Sequence, residues 1–280
     1  MHQLVWLRND LRTADNSALT QAMHNGSTVA LYVLSPKQWQ LHNDAPIKIN
    51  FQLRNLQALA QHLAKLNVPL LLLKCDEWRD IPNHLVQLCQ QHAIQQVHFN
   101  ECYGVNEQLR DQQSAHVLQA AGISVNTYTD RVLFPPGSVL NQKGEMFRVF
   151  TAFKKACWQR LRTTHVASLP EPKPQPPLTI PCQAEQLKAY LAHPPQEFLQ
   201  WPAGERYAHT QLNEFCAQDL AVYHERRDFP AINGTSQLSP YLASGVLSVR
   251  QCWNAAAQTN YGEFDTGNQG VVTWLTELLW

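Results

Sequence analysis

The segment Gly234-Thr-Ser-Gln-Leu-Ser-Pro-Tyr-Leu-Ala-Ser-Gly245 sets the hydroxyls of Thr235, Ser236 and Ser239 close together, directly ahead of a helical run. Two chemistries suit that spacing. Hydroxyls beside a helix start give donors to an anion such as a phosphate, acting with the free N–H groups and positive dipole end of the helix. The same residue types also cap helices. Ser239 followed by Pro240 fits an N-cap with proline at the first helical position, and Ser248 with Gln251 fits a capping box. The segment by itself leaves both uses open.

Other constellations point in fewer directions. Tyr223-His-Glu-Arg-Arg-Asp-Phe-Pro230 sets two arginines beside two acids, a pattern of surface ion pairs. Residues 146–165 hold no acid but carry Arg148, Lys154, Lys155, Arg160 and Arg162. That is the pattern of a solvated helix face or of a nucleic-acid contact. The twelve histidines form no H-E-x-x-H, no Cys/His spacing suits zinc, and no G-x-S-x-G occurs. Hydrolase and metalloenzyme chemistry therefore has little support.

These residues need elements to position them, and the first half alternates strand and helix patterns. Leu4–Leu7, Val29–Leu34, Leu70–Leu73, Val97–Phe99 and Ile123–Val125 are short apolar runs of the kind buried on both faces of a parallel sheet. Ile49, Leu53, Leu56, Ala60 and Leu63 step by four and three along one helical stripe. A second helix runs from about Asn106 to Ala121 and stops at Gly122. Such alternation means a doubly wound α/β domain. Its loops lack both G-x-G-x-x-G and a Walker A sequence. The first loop, Arg8-Asn-Asp-Leu-Arg-Thr-Ala-Asp-Asn16, reads instead as a solvated connection with Asp15 or Asn16 capping the first helix. Asn106 and Glu107 read as an N-cap with a first-turn acid, at a helix start after the fourth strand, where open α/β sheets bind ligands.

Ser168–Pro181 places six prolines in its last twelve residues and reads as an extended linker. Beyond it the patterns are helical, near 205–226, 248–257 and 271–280. The last of these is apolar on nearly every side, yet it ends on Trp280 with nothing to cover it. This reads as a helical domain cut short. The 280 residues suit one large or two ordinary domains, with 44% hydrophobic residues for a core. Zero formal net charge argues against nucleic-acid binding driven by bulk charge. Seven scattered cysteines without a C-x-x-C, together with no signal or membrane-spanning segment, fit a soluble cytoplasmic protein with reduced thiols.

Taken together, the motifs resemble the DNA photolyase/cryptochrome family. Trp6-Leu-Arg-Asn-Asp-Leu-Arg12 with Asp15-Asn16 is similar to the family opening W-F-R-x-D-L-R-x-x-D-N, with Leu7 at the usual aromatic. Arg148-Val-Phe-Thr-Ala-Phe153 resembles V-F-T-P-F, with Ala152 where proline is common. Arg227-Asp-Phe-Pro230 and Gly234–Gly245 resemble the flavin-binding signature, and Trp274-Leu-Thr-Glu-Leu-Leu-Trp280 resembles W-x-x-E-L-x-W. The resemblance covers the chain in register and is nearest to bacterial folate-antenna photolyases of cyclobutane dimers.

That resemblance implies an antenna-binding α/β domain over 1–164, a Pro-rich linker over 165–200, and the first part of an all-α FAD domain over 201–280. It implies that Tyr223, Thr235, Ser236, Gln237, Leu238, Ser239 and Trp274 bind FAD. Asn106 and Glu107 would hold the folate pterin, with His42 and Asn43 beside that cleft. Glu277 and Trp280 would contact the dimer, and Arg227 the DNA. The implied cofactors are reduced FAD and 5,10-methenyltetrahydrofolate, and the implied partner is ultraviolet-damaged DNA met by a monomer. The implied reaction is light-driven electron transfer that splits the dimer after base flipping. A chain that stops where the flavin pocket is unfinished is expected to hold FAD poorly and to be inactive. A cryptochrome-type photoreceptor and a residual antenna module are the alternatives.

Overall fold

A computed structural model of the chain describes residues 2–191 and 194–279; Trp280, expected to touch the dimer, lies outside the described residues. Contacts divide the chain into two units. One comprises Met1–Asp130, Leu169–Glu205 and Ser244–Val246; the other comprises Arg131–Ser168, Arg206–Ala243 and Leu247–Trp280.

In the first unit every apolar run expected to be a strand is one: β1 (His2–Leu7), β2 (Ser27–Leu34), β3 (Leu70–Lys74), β4 (Ile94–Asn100) and β5 (Ser124–Tyr128). They form one parallel sheet in the order β3-β2-β1-β4-β5. Order reverses between β1 and β4, so the crevice beyond their carboxyl ends is the topological switch point. Helices α1 (Ser17–Asn25), α2 (Pro36–Leu41), α3 (Pro46–Lys65), α4 (Ile81–Gln91) and α5 (Val105–Ala120) connect the strands. Leu4, Trp6, Val97 and Phe99 of the sheet share a buried core with Leu85 and Cys89 of α4 and Leu118 of α5.

Local signals account for the helix ends. Asn16 caps α1, its side chain accepting from Leu19 N–H. Gly122 follows α5 with φ of 79°, the left-handed conformation that glycine takes without a Cβ clash. The cap of α5 itself is Gly104, two residues before the expected Asn106, and it makes no side-chain cap bond. The carboxylate of Glu107 folds back over Gly104 into space that a Cβ would fill.

The Pro-rich stretch is extended over 165–178, as proline's fixed φ and missing N–H require. It also covers a sheet edge. Gln183 donates its N–H to Leu70 C=O at 2.7 Å and accepts from Leu72 N–H through Oε1 at 2.7 Å. Gln175 grips Thr28 and Asn67 with its amide, and Leu178 and Ile180 pack on the core. Strand β3 is thus met by the backbone N–H and the side-chain amide of one residue, Gln183, where proline could not build a strand. The chain continues through a short helical turn, α7 (Lys188–Leu191).

The second unit is helical: α6 (Phe150–Leu161), α8 (Glu205–Gln218), α9 (Tyr223–Arg226), α10 (Ser239–Ser244), α11 (Val249–Thr259) and α12 (Gln269–Glu277). Trp158 of α6, Trp253 of α11 and Phe264 form a triangle with ring centroids 5.6–5.9 Å apart. Ser248 and Gln251 make the expected capping box at α11. Gly270 lets α12 approach Leu220 and Ala221 so closely that no Cβ fits. All seven cysteines are free thiols. Among the described residues no helix is long and apolar enough to cross a membrane.

Candidate functional site

The loop after β1 is not the solvated connection its charges suggest. Asp10, Arg12, Thr13, Asp15 and Asn16 are all buried. Arg12 pairs with the fully buried Asp130 and also donates to Asp15 C=O and Gly245 C=O. Asp10 accepts from Arg8 N–H and from the Asn100 amide, each at 2.7 Å. The charges are inside because each has a partner there, which is the condition on which charge is tolerated in a core.

Arg8 carries the network to the switch point. Its guanidinium packs against the rings of both Trp6 and Phe99, which meet edge-on, donates to Asn100 C=O, and meets Asp111 at 3.3 Å. Burial alone would lower its pKa, but Asp111, Cys102 and Asp10 outweigh burial and the net shift is upward. Arg110 lies between Trp6 and Trp78 and is tied to Asp111 at 2.8 Å. His42 meets the Trp78 ring edge-on at 5.1 Å, and Asn43 follows with φ of 52°. Asn106 is exposed at the start of α5, and no described residue hydrogen-bonds its amide. Asn106, Glu107 and His42 therefore flank a floor of packed aromatic and guanidinium groups. Nothing in the sequence pattern marked Trp78 or Arg110 as part of that floor.

In the helical unit the hydroxyl loop is shaped by its own contacts. Gly234 backs onto Arg226 of α9 with no room for a Cβ. Gln237 takes φ of 52° and bonds to Asn233 at 2.6 Å, and Gln211 of α8 donates to Ser236 C=O at 3.3 Å. Ser239 is not the N-cap of the next helix. α10 begins at Ser239, and Leu242 N–H bonds to Leu238 C=O, so Leu238 holds the cap position and Pro240 is the second helical residue. The buried Leu238 anchors the turn through its side chain, whereas Thr235 and Ser239 are exposed and Ser236 half-buried. Among the described residues no protein group takes a hydrogen bond from these three hydroxyls. Capping accounts for Ser248 but not for them.

Beside that loop, Tyr223, Arg227, Trp274 and Glu277 come together. Phe215, which no sequence signal singled out, stands 5.1 Å from Trp274 and 5.9 Å from Tyr223, ring to ring. Burial raises the Tyr223 pKa and keeps the phenol neutral. Arg227 packs over the Tyr223 ring at 5.8 Å and pairs with Glu277, and that hydrogen bond is the main cause of its raised pKa. The two side chains read separately as DNA and dimer contacts are partners of one another. Of the basic run, Arg162 pairs with Asp265, and Arg160 donates to Ser138 C=O and packs over Phe134. Those two cations serve the unit itself.

A protein-family model described as DNA photolyase matches residues 3–177. A deoxyribodipyrimidine photo-lyase of Vibrio cholerae is 39% identical over 99% of this chain and 59% of its own length. The protein of that name from Escherichia coli is 36% identical over 99% of this chain and 58% of its own. The crystal structure of a bacterial class III photolyase from Agrobacterium tumefaciens superposes with a TM-score of 0.82 at 26% identity, covering 99% of this chain and 57% of that one. The chain thus spans a little under three fifths of the length of the curated relatives it matches.

Proposed function

The chain belongs to the DNA photolyase family, and on that premise we propose that its helical unit grips the pyrophosphate of FAD for light-driven repair of cyclobutane pyrimidine dimers. The observation that carries this reading is the preformed 234–239 loop with three hydroxyls free of internal partners. A pyrophosphate needs donors arranged around a turn and tolerates few acceptors nearby. Thr235, Ser236 and Ser239 give hydroxyls, Gln237 gives backbone, and Leu238 fixes the turn. Tyr223 and Trp274 add an aromatic wall.

FAD, when bound and reduced, supplies the photochemical electron. The chain's own residues bind and orient. Glu277 accepts a hydrogen bond from the dimer, with Trp280 as an apolar platform for the flipped bases. Arg227 turns toward the DNA backbone. In the α/β unit, Asn106 and Glu107 offer an amide and a carboxylate to the pterin edge of 5,10-methenyltetrahydrofolate, with His42 and Asn43 beside them. The partner is ultraviolet-damaged DNA, and the protein acts as a cytoplasmic monomer.

Equilibrium dialysis with FAD and with riboflavin tests the grip. A pyrophosphate site binds FAD more tightly than riboflavin, and Thr235→Val with Ser236→Ala removes the difference while leaving the unfolding midpoint in place. Equal retention of FAD and riboflavin by the unaltered chain would contradict the reading.

A further inference from the structure

In the α/β unit Trp78, Arg110, Trp6 and Arg8 alternate ring with guanidinium, and Phe99 closes the cluster by meeting Trp6 edge-on, 5.6 Å between ring centres, and Arg8 beside it. The Arg110 guanidinium carbon is 4.6 Å from the Trp78 ring centre and 5.0 Å from that of Trp6. The Arg8 carbon is 4.7 Å from Trp6 and 4.4 Å from Phe99. Asp111 holds both cations beside the rings, Arg110 through Nε and Nη2 and Arg8 through Nη2. Trp78 is the half-buried outer end, with His42 against its edge, and Arg110 stands one helical turn after Asn106. Trp78 and Arg110 therefore adjoin the residues proposed above to hold the antenna, Trp78 through His42 and Arg110 through its place on α5.

An indole that close to an excited pterin is a hazard. Indole is among the most easily oxidised side chains. Transfer of one electron from it to the excited chromophore leaves an indole radical cation and a pterin radical anion. The electron then returns and the excitation is lost as heat. A guanidinium over the ring opposes the first step, because it favours the neutral π-system and repels the radical cation, strongly so in a buried site.

We propose that Arg110 protects Trp78 and Trp6 from photo-oxidation by a chromophore bound over Asn106 and Glu107, and so keeps that chromophore's excitation from being quenched. The proposal rests on the antenna reading, and two measurements separate the two.

In the first, the chain is loaded with 5,10-methenyltetrahydrofolate without FAD, and the folate fluorescence lifetime is recorded. Arg110→Gln is expected to shorten it at least twofold, and adding Trp78→Phe to that variant is expected to restore it. A merely structural Arg110 would not be rescued by removing an indole. In the second, no folate is present. The protein is illuminated with free riboflavin as oxidant, and oxidation of the Trp78 peptide is followed by mass spectrometry. Arg110→Gln is expected to raise its rate several-fold. Should Arg110→Gln unfold, Arg110→Met keeps the stem packing, leaves Asp111 its bond to Arg8, and carries the same expectations. Failure of the unaltered chain to bind folate overturns the antenna reading, and the riboflavin measurement still decides the role of Arg110. An unchanged lifetime with folate bound, or an unchanged Trp78 oxidation rate, overturns the proposal.

Discussion

His98 lies in β4, wholly buried, and should make the fold sensitive to mild acid. Its Nε2 is 3.0 Å from Gln3 Oε1, its Nδ1 is 2.8 Å from the Tyr128 hydroxyl, and its ring stacks on Tyr128 with 4° between planes. With Gln3 accepting, Nε2 carries the proton and Nδ1 accepts from Tyr128. Both nitrogens are satisfied by the neutral ring, and no carboxylate is bonded to it. Burial lowers its pKa from 6.5 to about 4. The sign follows from linkage: between those values the unfolded chain binds a proton that the folded one refuses. Stability from this site is full above pH 6.5 and falls as the pH drops towards 4. A shift of that size corresponds to about 3 kcal/mol in all, of which about 2 kcal/mol is lost by pH 5. Urea unfolding of the unaltered protein and of His98→Gln at pH 7.5, 6 and 5 measures it. The variant is the less stable at pH 7.5, having lost fitted packing and hydrogen bonds. The gap between the two is expected to narrow by about 2 kcal/mol at pH 5, while titrations at distant sites cancel in the difference. A gap constant across that range would refute the reasoning.

Glu205 is also buried, and burial raises its pKa despite bonds from Thr13 and the nearby His62. A raised acid has the opposite sign: it stabilises at low pH and loses that contribution as pH rises, so Glu205→Gln should compare better with the unaltered protein at pH 8 than at pH 4 in urea melts. Gly245→Ala should cost more than about 3 kcal/mol, read as a lowered urea midpoint or as insoluble protein, because Gly245 has φ of 68° and a Cβ would overlap Asn9 C=O and sit 2.6 Å from Asp10 Cα. Trp158→Ala should open the aromatic triangle of the helical unit and cost about 3–5 kcal/mol, measured by chemical unfolding followed through Trp253 fluorescence.

The sequence was most legible where a single element carries its own signal, and least where partners lie far apart in the chain. The strands announce themselves as continuous apolar runs, because both faces of the parallel sheet are buried. The stripe through Ile49, Leu53 and Leu56 likewise needs only local spacing, and α3 (Pro46–Lys65) contains it. The loop at Arg8–Asn16 reads as solvated because the side chains that pair with its arginines lie far along the chain. Arg12 finds Asp130, 118 residues on, and Arg8 finds Asp111, 103 residues on. A charge count over a short window cannot tell a wet arginine from a paired one. The sheet-edge contacts of Gln175 and Gln183 were invisible for a related reason, since a glutamine among prolines has no periodicity to betray it.

The hydroxyl cluster is the sharpest instance, because capping and anion binding use the same atoms. Only the helix start distinguishes them. Had α10 begun after Ser239, that hydroxyl would have been consumed by the helix's own N–H groups. With the start one residue earlier, the cap position falls to Leu238, which has no polar side chain to offer. The turn is held instead by Gln211, Gln237 and the close approach of Gly234 to Arg226. Those contacts spend amide and backbone groups and leave the hydroxyls unspent. A displacement of one residue lies within the ordinary uncertainty of a sequence-derived helix boundary. That single residue decides whether the Ser239 hydroxyl caps its own helix or stays free of it.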